Sequence, residues 1–464
     1  GVMERGGWDV MGRLVEEYHS LLVGGDPAGE WEGLREGMEA RGLRFKERYI
    51  CNVLRPFLLP EGHFAEVAAV SEDFFGAIRT LYQWLMEDGA LRAQVGLSEV
   101  EEAALHIEPG FPSPDGIGRL DGFLDREGTL RFVEYNADSP GGMAFGQALA
   151  ELFLEMPTMQ RFAARYRLSV ILPIGDILAS LLSHYREWGG KKERPTIAIV
   201  DWEGMGTAGE FVLCRDYFNE AGCPSVITHP DALAVRDGQL WDEQSGQSID
   251  IVYKRVLVGE LLERLGLENV LTEAMRQHVA CVVNSYRAQL IFQKSLFALL
   301  SECGDDPRFS PAERRAIRTH LPWTRIVREG YSDYHGQRVD LIDHLLMKQE
   351  ELVLKPNSEY GGKGVMLGWE CSSEAWRNAL EEALRSDQPY IIQERIYVRT
   401  EPFPLLRDGA LRFEERFMDI DPYVYAPGKV IGAGVRLGSS GLLNVTAGGG
   451  SAVPLVLVSG RSDR

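Results

Sequence analysis

The sequence predicts a mixed α/β (α+β) fold, with a mostly parallel sheet between a helical first quarter and a β-rich last quarter. Three observations predict it. Val10, Leu14 and Tyr18, then Phe64, Val67, Val70, Phe74 and Ile78, recur at helical spacing. Between 196 and 284, short apolar runs alternate with helical stretches, the rhythm of parallel strands joined by crossover helices. Beyond 410 the apolar stretches are short and strand-like, at 411–418, 422–425, 430–437 and 452–458. At 464 residues the chain exceeds one simple core, so subdomains are expected.

Taken in order, residues 8–105 read as helical and 107–115 as a Pro/Gly-rich connection. Two short runs, 119–125 and 130–136, then flank the turn 126–129, where Gly128 permits a hairpin. Helices are expected at 144–156 and 169–187. The polar stretch 188–195 marks a boundary. Strands at 196–201, 225–228, 249–253 and 280–284, with a helix at 207–221, make a small Rossmann-like unit. Helices follow at 287–303, 311–320 and 340–348. A buried strand at 352–356 runs into a glycine-rich loop, 357–368, before a helix at 374–384 and a strand at 390–396.

Charge narrows the partners. Forty-nine basic against 69 acidic side chains leave −20, a field that repels nucleic acid and anionic membranes. The six cysteines are scattered without a CxxC pair, which indicates free thiols in a reducing cytoplasm. The start reads as an amphipathic stretch rather than a signal peptide, and the apolar run 168–182 is too short to span a bilayer. The sequence leaves the oligomeric state open, a homodimer included.

The hairpin carries the most chemistry. With 126–129 as the turn, Asp121 lies opposite Glu134 and Arg119 opposite Asn136. Side chains two apart share a face, so all four point one way. Like charges across strands repel unless neutralised, and this set suits a hard cation bridging phosphates. An exposed sheet face is the bland alternative. Lys355 leaves an apolar strand just before Gly361, Gly362, Lys363 and Gly364. Glycines let backbone N–H groups approach a phosphate, and this spacing is not a Walker A loop. Gln393 and Glu394 end a strand that can offer backbone groups to an adenine edge, or else simply runs out to solvent. Arg436 sits among small and apolar residues and needs an anion, either a ligand or Glu414, Glu415 or Asp419. Gly204, Gly206 and Gly209 follow a strand as in dinucleotide sites, but 201–203 intervene where the turn should be tight; a helix N-terminus receiving an anion is the other reading. Lys254 and Arg255 end a strand, either solvated or facing a substrate carboxylate.

Together these pieces resemble the synthetase part of the glutathionylspermidine synthetase family, and more broadly the circularly permuted ATP-grasp ligases. The resemblance rests on Arg119-Leu-Asp121, the run from Glu134 to Pro140, Val252 to Arg255, Lys294, the loop from Lys355 to Gly364, Gln393 and Gly434-Val-Arg436. The helical region at 1–110 is a departure from the family; the resemblance implies ATP-grasp segments at 111–190 and 286–464, and a Rossmann-like pre-ATP-grasp substrate domain at 195–285. It implies that Asp121, Glu134 and Asn136 hold Mg2+. Lys294, Lys355, Gly361, Gly362, Lys363 and Gly364 would meet the phosphates of ATP, and Gln393, Glu394 and Ile396 the adenine. Arg119 and Arg436 would face the transferred phosphate, with Ser139, Arg255, Gly206 and Asn444 toward substrate. The family's aspartate-threonine-proline-threonine run reads Asp138-Ser-Pro-Gly-Gly here, so glutathione and spermidine are not carried over. The expected activity is an ADP-forming ligase joining a small-molecule carboxylate and an amine. A nucleotide-binding pseudoenzyme and an NAD(P) or flavin oxidoreductase using 204–209 are the alternatives.

Overall fold

A computed structural model describes residues 5–205, 208–359, 363–439 and 450–462. Three sheets position the site. The central one is antiparallel and runs, strand by strand, Ser451–Val453, Lys429–Gly438, Ala410–Tyr425, Ile117–Leu124, Leu130–Asn136, with Thr400–Arg407 also paired to Ala410–Tyr425. The second is Thr324–Ile326, Tyr390–Glu394, Leu352–Pro356 and Met366–Leu367, likewise antiparallel. The third is the expected parallel unit, in the order Cys281–Val283, Ile251–Lys254, Ile197–Val200, Ser225–Thr228.

The helical first quarter is not free-standing. Its longest helix, Glu61–Glu87, buries Phe74 and Ile78 in one cluster with Leu120, Leu124, Phe132 and Ile420 of the central sheet. Phe74 lies between Phe132 and Phe297, with ring centroids 4.7 and 5.4 Å away. The strand Phe57–Pro60 pairs in parallel with Leu455–Arg461, joining the first quarter to the last strand among the described residues. No helix among the described residues is long and apolar enough to cross a membrane.

Several expectations need correction. The stretch expected as one helix at 287–303 is two, Ala288–Phe292 and Ser295–Glu302, broken at Gln293 and Lys294. The region 169–187 begins with a strand, Tyr166–Val170, before its helix Pro173–Trp188. Runs 411–418 and 422–425 are one strand of 16 residues. Thr400–Arg407 was not anticipated because it holds Pro402 and Pro404. It pairs on one side only, where proline is tolerated. An antiparallel meander at 233–249 also interrupts the α/β rhythm.

Candidate active site

The hairpin forms at Ile117–Leu124 and Leu130–Asn136, with Arg119 opposite Asn136 and Asp121 opposite Glu134 as the spacing predicts. Beyond Asp121 the register slips by one, so Gly122 faces Phe132 and Val133 is the extra residue of a bulge. The slip lets Val133 and Glu134 both face the cleft while Phe132 stays in the core. The exposed-face alternative is excluded for Asp121, which is 1% exposed.

A polar band crosses four neighbouring strands. Arg119 donates from Nε to Asp121 Oδ1 at 2.6 Å and from Nη1 to the Gly141 carbonyl at 2.7 Å. Asn136 Nδ2 donates to Asp121 Oδ2 at 2.9 Å and to Glu134 Oε1 at 3.3 Å. Arg436 reaches Asp121 Oδ2 at 3.1 Å, Asp419 Oδ2 at 2.9 Å and Asp421 Oδ2 at 3.1 Å. Of the anions proposed for Arg436, Asp419 is therefore the partner, while Glu414 pairs with Arg407 and Arg416. Asp421 was missed. The alternation Asp419, Asp421 within the otherwise apolar stretch 417–425 carries the same shared-face signal as the hairpin.

Burial opposes ionisation of Asp121, but the guanidinium groups of Arg119 and Arg436 outweigh it and hold the carboxyl well below its ordinary range. For Asp421, burial wins over the attraction of Arg436 and pushes the carboxyl well above its usual value. Asp419 moves up as well, chiefly through burial.

The second sheet supplies the opposite wall. Lys355 is buried and donates to Gln393 Oε1 at 2.7 Å; Gln393 in turn donates to Thr324 Oγ1 at 3.0 Å. Burial lowers the Lys355 ammonium to about 8. Lys294, at the helix break, lies 3.7 Å from Glu134 Oε2 and donates to the Glu359 carbonyl. The polar lining of one cleft includes Asp121, Glu134, Lys294, Lys355, Gln393, Asp419 and Arg436. Val353, Val365, Leu367, Trp369, Ile396 and Val398 form its apolar walls. The Glu394 carboxylate also borders it but is held by Tyr334 Oη and His335 Nε2, each at 2.7 Å, which corrects the picture of a strand running out to solvent.

These residues fit a metal–nucleotide. Cationic groups and carboxylates line the same cleft as apolar side chains, the mix that a phosphate chain and a purine would meet. Among the described residues no three His, Cys, Asp or Glu side chains are placed to hold a metal by themselves. Magnesium takes one or two protein carboxylates and fills its remaining positions with phosphate oxygens and water, so Asp121 and Glu134 could hold it only together with such ligands.

Other expected residues lie apart. Lys363 is exposed beside Glu359, and neither it nor Gly364 lines the cleft. Ser139 donates to the Lys254 carbonyl at 2.6 Å, and Arg255 to the Pro140 carbonyl at 2.8 Å. Lys254 is fully buried against Asp138, so the solvated strand end is excluded. Gly206, Gly361, Gly362 and Asn444 fall outside the described residues.

The chain has a known fold. It shares its fold with the apo structure of a glutathione synthetase-like effector from Globodera pallida, at a TM-score of 0.58 and 12% identity, covering 93% of this chain and 96% of that one. Sequence relatives are distant. Uncharacterized proteins of Mycobacterium bovis and Mycobacterium tuberculosis are 24% identical over 393 residues, 80% of this chain and 65% of theirs. A Frankia alni protein provisionally named glutamate–cysteine ligase 2-3 is 26% identical over 96% of this chain and 52% of its own length. The chain thus spans between half and two-thirds of the curated relatives it matches. No protein-family model matches it.

Proposed function

We propose that this chain is an ATP-dependent, ADP-forming carboxylate–amine ligase of circularly permuted ATP-grasp type. One observation carries the proposal: side chains spread from residue 121 to residue 436 line a single cleft that combines carboxylates, lysines and an arginine with apolar walls. The glutathione synthetase-like fold and the relative named as a glutamate–cysteine ligase support the same class.

Bound MgATP supplies the phosphoryl group that turns a carboxylate, a poor electrophile, into an acyl phosphate open to attack by an amine. Asp121, kept ionised by its two arginines, would hold magnesium with Glu134 and Asn136. Lys294 and Lys355 would meet the phosphates, and Gln393 fixes the Lys355 ammonium from behind. Arg119 and Arg436 flank Asp121 and would oppose charge growing on the transferred group. The walls from Val353 to Val398 would exclude water from the purine.

The test is ADP release from MgATP with pooled acids, amines and small peptides. Turnover is expected with some pair, and Glu134→Gln is expected to lower it by on the order of a hundredfold or more. Turnover that survives Glu134→Gln contradicts the metal assignment. Nucleotide binding with no ADP from any pair favours a binding module of the same fold.

A further inference from the structure

Asn357 is not part of the cleft lining, yet it touches or adjoins the elements that carry Lys294, Lys355 and Gln393. It is fully buried and directly follows Pro356, the end of the strand that carries Lys355. Its backbone N–H donates to the Pro389 carbonyl at 3.1 Å, and its carbonyl accepts the Lys294 N–H at 3.1 Å. Its side-chain Oδ1 accepts the Ser295 N–H at 2.9 Å, and Nδ2 donates to the Val95 carbonyl at 2.8 Å. Pro389 immediately precedes the strand Tyr390–Glu394, which carries Gln393.

Val95 belongs to the helical first quarter, 262 positions from Asn357. Its carbonyl also accepts the Ser295 hydroxyl at 2.8 Å. Gly96 beside it has φ +85°, and a Cβ there would stand 2.4 Å from the Pro389 ring and 3.3 Å from Asn357 Nδ2. The turn at 94–96 is therefore pressed against the joint where both lysines and the Gln393 strand meet.

We propose that Asn357 is a positioning residue for the nucleotide cleft, locking Lys294, Lys355 and the Gln393 strand to one another and to the turn at 94–96. The inference rests on the ATP reading of the cleft and adds a role for the first quarter, as the rigid backing of the two lysines. A lysine is a point charge on a flexible stem, so its aim depends on how firmly its backbone is held.

Asn357→Asp tests it. The change keeps the shape and the acceptor for Ser295, but sets an oxygen against the Val95 carbonyl. Calorimetric titration with MgATP is expected to show dissociation constants raised on the order of tenfold or more, through misplacement of the lysines. Thr158→Ala removes a buried hydrogen bond to Glu30, remote from the cleft; it is expected to lower the melting temperature and leave MgATP affinity unchanged. In the unsubstituted chain, MgATP is expected to slow hydrogen exchange across 91–97, a segment that contributes nothing to the cleft lining. Affinity of Asn357→Asp within about twofold of the parent overturns the proposal, as does unchanged exchange at 91–97 in the saturated parent. Failure of the parent to bind MgATP in the same titration instead sinks the ATP reading itself.

Discussion

Lys355 shows how one residue ties stability to function. Its ammonium is buried with a neutral amide as its hydrogen-bond partner, and burial brings it down to about 8. A lysine depressed in the folded state costs stability in full below that value. The cost fades as pH rises from about 8 toward the ordinary value of about 10.4. Lys355→Met is therefore expected to raise the melting temperature of the ligand-free protein at pH 7, by up to about 3 kcal/mol in free energy, while weakening MgATP binding. A melting temperature that falls with the substitution would contradict the burial cost. The same group predicts that MgATP affinity in the parent declines as pH climbs past about 8, which titrations from pH 6.5 to 9.5 would read. Asp121 is the opposite case. The sequence discloses both, since a lysine ending an apolar strand and carboxylates across a hairpin are local patterns. Asp421 needed only the same alternation rule, applied to a strand that sequence reading had split in two.

At the scale of the element, the hairpin was legible where its side chains alternate and illegible where the ladder slips. The bulge at Val133 comes from packing: Phe132 seeks the core beside Phe74 while Glu134 stays in the cleft, and period-two reasoning cannot serve both without an extra residue. Gly122 marks the slip, and its N–H is received by Asp421 Oδ1 at 3.3 Å rather than by strand pairing alone. A Cβ there would meet Leu130 Cδ1 at 2.9 Å and Phe132 Cδ1 at 3.1 Å. Gly122→Ala is expected to cost about 1–3 kcal/mol by overpacking and to shift Asp121, lowering turnover as well. Denaturant melts and ADP assays on one preparation would check both. The break at Lys294 escaped sequence reading for a related reason. Residues 287–303 have helical composition, but Asn357 takes the N–H groups of Lys294 and Ser295 and starts a new helix there.

Over the whole molecule, sequence reading recovered the strand–helix alternation of the parallel unit and the β-rich end, but not the joint between first and last quarters. Nothing local announces it, because it is made of pairings hundreds of residues apart. Arg55 shows what that joint depends on. It is fully buried, with Nη2 donating to Glu401 Oε2 at 2.9 Å and to the Pro402 carbonyl at 2.8 Å, and its guanidinium lies 3.9 Å from the Phe403 ring centroid. Its Nε donates to His19, which burial, with help from Arg55, lowers to about 3 and so keeps neutral and able to accept. Arg55→Ala would leave the buried Glu401 carboxylate facing an empty space, a loss of about 3–5 kcal/mol. Because the helix Glu61–Glu87 and the central sheet share one apolar cluster, that loss is expected to lower a single unfolding transition, seen at the same denaturant concentration by far-ultraviolet dichroism and tryptophan fluorescence. A separate early transition, with the sheet still folded and MgATP still bound, would mean that the helices are an appendage rather than a wall of the site.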